Sequence, residues 1–143
     1  MLKNTKLNVK ELIILDLFLS RVLRETGDIK ESSTLSKLLV ETAETLNDER
    51  LIIEAYLENA YCLWYAGDFD EGIQFCNHAQ NIMSKSDGDY KKLYARSQII
   101  LGNLIGDQGD LDMALKYYTD ALKSYRSIND KDGIAYSLNN LGT

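Results

Sequence analysis

The 143-residue sequence has no proline, two cysteines, one histidine and one tryptophan, and each shortage removes a class of protein. Without proline, nothing deletes a backbone N–H and forces a kink inside a helix, so the chain is free to be helical almost throughout. Cys62 and Cys76 are too few for a disulfide framework and lack the paired spacing of a zinc site. They read as small buried apolar residues of a protein from a reducing compartment, and the expected location is the cytoplasm. His78 stands beside Asn77 and two residues from Cys76, a spacing that turns the two side chains to different sides of a helix. No motif supplies it with a nucleophile. Catalytic residues, metal ligands and cofactors are therefore all assigned as none, and the chain is read as non-enzymatic. Charge excludes more: 16 Lys and Arg stand against 22 Asp and Glu, with no basic run to neutralise a phosphate backbone. The apolar run "LIILDLFL", Leu12 to Leu19, is broken by Asp16 and falls far short of the roughly 20 residues of a membrane helix. No small-residue cleavage site follows it. Neither nucleic acid nor membrane is expected as a partner.

What is present is helical periodicity. Apolar residues recur at spacings of three and four, as in Tyr56, Ala60, Leu63 and in Met113, Tyr117, Ala121, and no stretch alternates with period two. The pattern predicts an all-α protein. Self-similarity then organises it. "TGDIKES", "AGDFDEG" and "QGDLDMA" share Gly-Asp followed by a large apolar residue, and Gly27, Gly67 and Gly109 lie 40 and 42 residues apart. Glycine ends one helix in the left-handed conformation, and the aspartate caps the next by accepting a backbone N–H. Glu31 after Asp28 and Glu71 after Asp68 predict capping boxes. Each Gly-Asp thus turns helix A into helix B of a hairpin, and the polar breaks "LNDE", "SKSDGD" and "INDKDG" separate hairpins. The acidic stretch Asp107 to Tyr118 is not a calcium loop, because nothing acidic closes it at its twelfth position, and it lacks the Gly-Lys-Ser/Thr of a phosphate loop.

The stretch Leu101 to Leu122 resembles a tetratricopeptide repeat (TPR), through Leu101, Gly102, Gly109, Asp110, Ala114, Tyr118 and Ala121. On the same frame the second repeat offers Ala60, Leu63, Gly72, Cys76 and Ala79, and the first Ser20, Leu23, Ser32 and Leu39, with Asn59 where a leucine is usual. Small residues at these places are what close helix approach requires. The resemblance implies a right-handed α-solenoid of antiparallel helical hairpins over a single domain, residues 1–143: repeat 1 about 8–46, repeat 2 about 48–85, repeat 3 about 89–128, and a truncated helix A of repeat 4 about 132–143. Leu141-Gly142 repeats Leu101-Gly102, and the chain is expected to be a fragment of a longer protein. The period is similar to that of the TPR class of kinesin light chains and bacterial peptide-sensing regulators.

The resemblance also implies a function: helix A faces line a concave groove that binds a peptide or a partner protein. Position by position the groove residues are Leu17, Arg21 and Arg24; Glu54, Leu57, Tyr61, Trp64 and Tyr65; Arg96, Ile99, Ile100 and Asn103; and Tyr136, Asn139 and Asn140. Tyr and Trp supply rigid area, Arg pairs with carboxylates, and Asn bonds peptide N–H and C=O groups. The same aromatic stripe fits helix packing equally by spacing, and the arginines fit simple pairing with Glu25, Glu54 and Glu58. Helix 1A is apolar nearly all round between Leu12 and Leu23, which nominates Ile13, Ile14 and Phe18 for a homodimer or interdomain contact, or for deep packing on helices 1B and 2A. Two functions stay open: a non-catalytic interaction module with a groove ligand, and an N-terminal regulatory or dimerisation region of a larger bacterial signalling protein whose C-terminal output domain is a nucleotide cyclase, histidine kinase or DNA-binding domain.

Overall fold

The computed structural model describes residues 8–142; residue 143 of the fourth helix A and residues 1–7 of the expected domain lie outside the described residues. Among the described residues all regular structure is α-helical, in the order α1 (Val9–Glu25), α2 (Ile29–Leu46), α3 (Glu49–Ala66), α4 (Phe69–Lys85), α5 (Lys91–Asp107), α6 (Leu111–Ser127) and α7 (Lys131–Asn140). No helix among them is long and apolar enough to cross a membrane.

The Gly-Asp turns do most of their work through the backbone. Gly27, Gly67 and Gly109 all have positive φ (88°, 84° and 105°), a region where a Cβ is strained. The next N–H then reaches back over the helix end: Asp28 to the Leu23 carbonyl at 2.7 Å, Asp68 to Leu63 at 2.9 Å and Asp110 to Ile105 at 3.2 Å. This six-residue closure satisfies carbonyls that the helix end leaves free. The aspartates behave less uniformly than the sequence predicts. Asp110 accepts from the Met113 N–H at 3.1 Å, but Asp28 and Asp68 make no side-chain cap bond, and their predicted capping boxes do not form. Their ψ angles of 64° and 68° are smaller than those of Asp110, Asp130 and Asp48 (79°, 95° and 109°), whose side chains do reach the first turn. Reciprocal side-chain bonding occurs instead between Asn8 and Glu11. Asp48 and Asp130 cap α3 and α7 by accepting from Leu51 and Gly133.

Packing converts these hairpins into a solenoid. Each helix packs on the next in sequence, and α3 also packs on α1 and on α5. No comparable contact joins α2 to α4 or α4 to α6 among the described residues, so the A layer is tight and the B layer fans out. That asymmetry puts α1, α3 and α5 on the inner, concave side, and α7, which packs on α6, joins them through the contact of Tyr136 with Tyr61. The core between the layers is built from Ile53, Leu57, Ala60, Cys76, Ala79, Leu93, Ile100, Leu101 and Leu104 around the central repeat, flanked by smaller clusters at each end. The small positions behave as expected. A Cβ on Gly72 would lie 2.7 Å from Leu104 Cδ2, and one on Gly102 would lie 2.5 Å from the Tyr118 ring.

Candidate functional site

A cleft of about 620 Å³ runs across the concave face. Its walls come from all four A helices: Arg21, Arg24 and Glu25 on α1; Arg50, Glu54 and Tyr61 on α3; Lys92, Arg96, Ile99 and Ile100 on α5; Asp132, Gly133 and Tyr136 on α7, with Asp130 at its cap and Tyr125 from α6. The cations are already paired: Arg21 with Glu25 at 3.6 Å, Arg50 with Glu54 at 3.5 Å, and Lys92 with Asp130 at 3.2 Å. The first two pairs follow from i,i+4 spacing on a helix, and the third joins α5 to the cap of α7.

Beneath the cleft lies a buried charge cluster. Glu58 is 3% exposed and Arg24 5% exposed. Arg24 donates Nε to Glu58 Oε2 and Nη2 to Oε1, both at 3.3 Å, and Arg96 approaches Oε1 at 3.5 Å. Ser20 donates to Oε2 at 3.0 Å, and the Cys62 thiol donates to the same oxygen at 3.4 Å. Ser32 sits 2.9 Å from Cys62 Sγ and donates to the Ser20 carbonyl. Burial opposes the Arg24 charge, but Glu58, by charge and hydrogen bond, outweighs it and holds the guanidinium pKa above its ordinary value. Burial and then the Glu58 charge push the Cys62 thiol up, which keeps it a proton donor. Cys62 is therefore not in apolar surroundings as the sequence suggests; only Cys76, also pushed up by burial, sits in the hydrophobic core.

The Arg24 guanidinium also lies 4.0 Å from the Tyr61 ring centroid, and Tyr61 bonds hydroxyl to hydroxyl with Tyr136. That bond spans the inner face from α3 to α7. Burial, then Tyr136, raise the Tyr61 pKa, so this phenol is neutral at any physiological pH. Burial likewise pushes the Tyr125 phenol up to about 12.

Comparison with known families decides the identity of this arrangement. Residues 51–127, more than half of the chain, match the family model described as Tetratricopeptide repeat. The chain belongs to the tetratricopeptide repeat family. Among solved structures, the TPR domain of Arabidopsis FLU superposes with a TM-score of 0.69 at 20% identity, covering 84% of this chain and 99% of that one. The N-terminal domain of stress-induced protein-1 (STI-1) from C. elegans superposes with a TM-score of 0.60 at 21% identity, covering 94% and 98%. At these identities the likeness concerns the fold. No curated protein matches the chain. TPR domains are generally non-catalytic modules for protein–protein interaction.

Within this TPR domain the residues nominated from the sequence divide into two groups. Arg21, Arg24, Tyr61 and Arg96 come together on the cleft wall, with Glu54, Ile99, Ile100 and Tyr136. The others do not line it. Leu57 is wholly enclosed in the core and has no surface to offer a ligand. Trp64 donates Nε1 to Asp107 Oδ2 at 2.7 Å, and Tyr65 stacks on Tyr61 from the solvent side. Asn103 is buried and accepts from the Tyr118 hydroxyl at 2.6 Å, while Asn140 donates to the Tyr136 carbonyl of its own helix. Asn139 is exposed outside the cleft lining. Sequence reasoning missed Arg50, Lys92, Tyr125, Asp130 and Asp132. The signal was present, since Arg50 and Lys92 each lie four residues before a nominated residue, Glu54 and Arg96, on the same helix face. Ile13, nominated for an outside contact, is 2% exposed and belongs to the core with Leu39 and Leu51; Ile14 and Phe18 are exposed.

Proposed function

We propose that this TPR module captures an extended, charged segment of a partner protein in the cleft across α1, α3, α5 and α7, without carrying out chemistry. The observation that supports this most is the cleft wall itself, where cations and carboxylates from four helices surround Tyr61, Tyr125 and Tyr136. Three ion pairs on this wall, Arg21–Glu25, Arg50–Glu54 and Lys92–Asp130, span 3.2 to 3.6 Å, each with a cation more than half exposed. Such pairs are worth little in water, so a ligand carrying both charge signs exchanges partners with them at small cost. The tyrosines then bury apolar area on the segment they enclose.

The test is a peptide array probed with the purified chain, followed by titration of the retained peptides. Arg96→Ala and Arg50→Ala are expected to weaken them at least about tenfold without loss of helicity. Retention unaffected by both substitutions moves the site off the cleft, and no retained peptide ends the proposal. A second reading, the regulatory or dimerisation region of a larger signalling protein, is favoured by one observation, the uncovered apolar face of α1.

A further inference from the structure

The hydroxyls of Tyr61 on α3 and Tyr136 on α7 bond to each other although the α5–α6 hairpin stands between those helices in the chain. Both rings belong to the cleft wall, so the bond is made in the space that a ligand is to enter. Its two ends are held differently. The Tyr61 ring is a fixed post: the Arg24 guanidinium lies 4.0 Å from its centroid, Trp64 meets it edge-on at 5.5 Å and Tyr65 stacks on it at 5.7 Å. Tyr136 is 40% exposed and stands on α7, a helix of ten residues packed along α6. The apolar seat of α7 is small, with Gly133 against the Tyr125 ring and Ile134 against the cluster of Ala95, Ile99 and Ala121. That seat also carries a cost. Ser137 is wholly buried in it, and its hydroxyl has no hydrogen-bond partner among the described residues. A buried hydroxyl without a partner opposes docking, because it gives up water and gains no bond in return.

We infer that α7 is a gate on the cleft and that the Tyr61–Tyr136 bond is its latch. The bonded arrangement is the closed state, and a partner segment enters when α7 swings away from Tyr61. A backbone carbonyl of that segment then replaces Tyr136 as the acceptor for the Tyr61 hydroxyl, so the bond lost on opening is regained on binding. A site that must open first binds in proportion to the fraction of open molecules, and anything that raises this fraction raises the apparent affinity equally. The ligand half of this inference rests on the cleft reading above; the motion of α7 does not.

Amide hydrogen exchange of the purified chain reads the gate without a ligand, and the association rates of array-retained peptides read it with one. Tyr136→Phe and Tyr61→Phe each remove the latch and keep the ring. In both, exchange across residues 134–140 is expected to speed up about three- to tenfold with α3 unchanged, and peptide association with Tyr136→Phe to rise by the same factor. Ser137→Ala acts in the opposite direction, slowing exchange and association, and it does so without touching a ligand because Ser137 does not line the cleft. Unchanged exchange in both phenylalanine variants overturns the latch, whether or not any peptide binds. Faster exchange without faster peptide association overturns the gate. An array that retains no peptide ends the cleft reading, and exchange alone then decides the latch.

Discussion

The joint between α1 and α3 and the joint between α3 and α5 are the same piece of architecture made from different matter. At the first, Ser20, Arg24, Ser32, Ser36, Glu58 and Asn59 are buried and bonded to one another. At the second, Ala60, Gly72, Leu101 and Leu104 interlock as an apolar core, with Trp64–Asp107 and Arg96–Glu58 as polar links beside it. The helix directions are alike because turn and spacing are alike. The cohesion is not. An apolar joint tolerates small changes of register, whereas a carboxylate satisfied by Ser20, Cys62, Arg24 and Arg96 demands one geometry. The family match begins at Leu51, past the two helices whose small positions carry Ser20 and Ser32.

The comparison is broken most severely at Glu58. Glu58→Leu strands the buried Arg24 guanidinium without its counter-charge, and the expected loss is about 3–5 kcal/mol in urea denaturation. Pairing it with Arg24→Met is expected to recover stability to within about 1 kcal/mol of the wild type, because replacing both charges removes the desolvation cost as well. A single variant that loses under about 1 kcal/mol means that the network does not hold the joint.

The apolar joint is probed next by Gly72→Val. The new side chain meets Leu104 Cδ2 at 2.7 Å and the Ala60 carbonyl at 3.4 Å, which is expected to cost about 1–3 kcal/mol by overpacking. The turns give a smaller and sharper contrast. Asp110→Ala is expected to cost about 1 kcal/mol, since it removes the bond to Met113, and Asp68→Ala only a few tenths, since no cap bond exists there. Equal losses at the two positions return the capping role to Asp68.

The smallest effect is the pH response of the caps that open α3 and α7. A bond with Lys10 and the Leu51 N–H hold Asp48 below its ordinary pKa, and the Gly133 N–H, followed by Lys92, does so for Asp130. Their contribution is therefore fully present above the unfolded value near about 3.9 and is lost as pH falls through the lower folded values. Melting temperature is expected to decline below pH 4, and less steeply in Asp48→Asn with Asp130→Asn. An unchanged slope removes these two caps from the acid response.

Much of the fold was legible because its signals are local. A glycine that ends a helix, an apolar residue every third or fourth position and a Gly-Asp repeated at 40 and 42 residues act within one turn or one hairpin. The candidate site was legible in half. Arg21, Tyr61 and Arg96 were read as lining the groove and do line the cleft, but Leu57, one turn before Tyr61 on the same face of α3, is covered by neighbouring helices and sits in the core. Of the buried cluster around Glu58, the pairing of arginine with Glu58 was legible and its burial was not. Its members, Ser20, Arg24, Ser32, Glu58 and Cys62, come from three helices, and each taken alone looks like a small spacer or a solvated charge.

The sequence by itself determined the helices, their turns and their order, since these depend on backbone conformation and on which face of each helix is apolar. Only the tertiary structure decided which charges are buried and which stay wet, because burial depends on how closely neighbouring A helices approach. Small residues at Ser20 and Ser32 let α1, α2 and α3 come close enough to enclose Arg24 with Glu58. Farther along the inner face, Arg50 and Lys92 stay at the cleft surface, each held by a carboxylate that water still reaches.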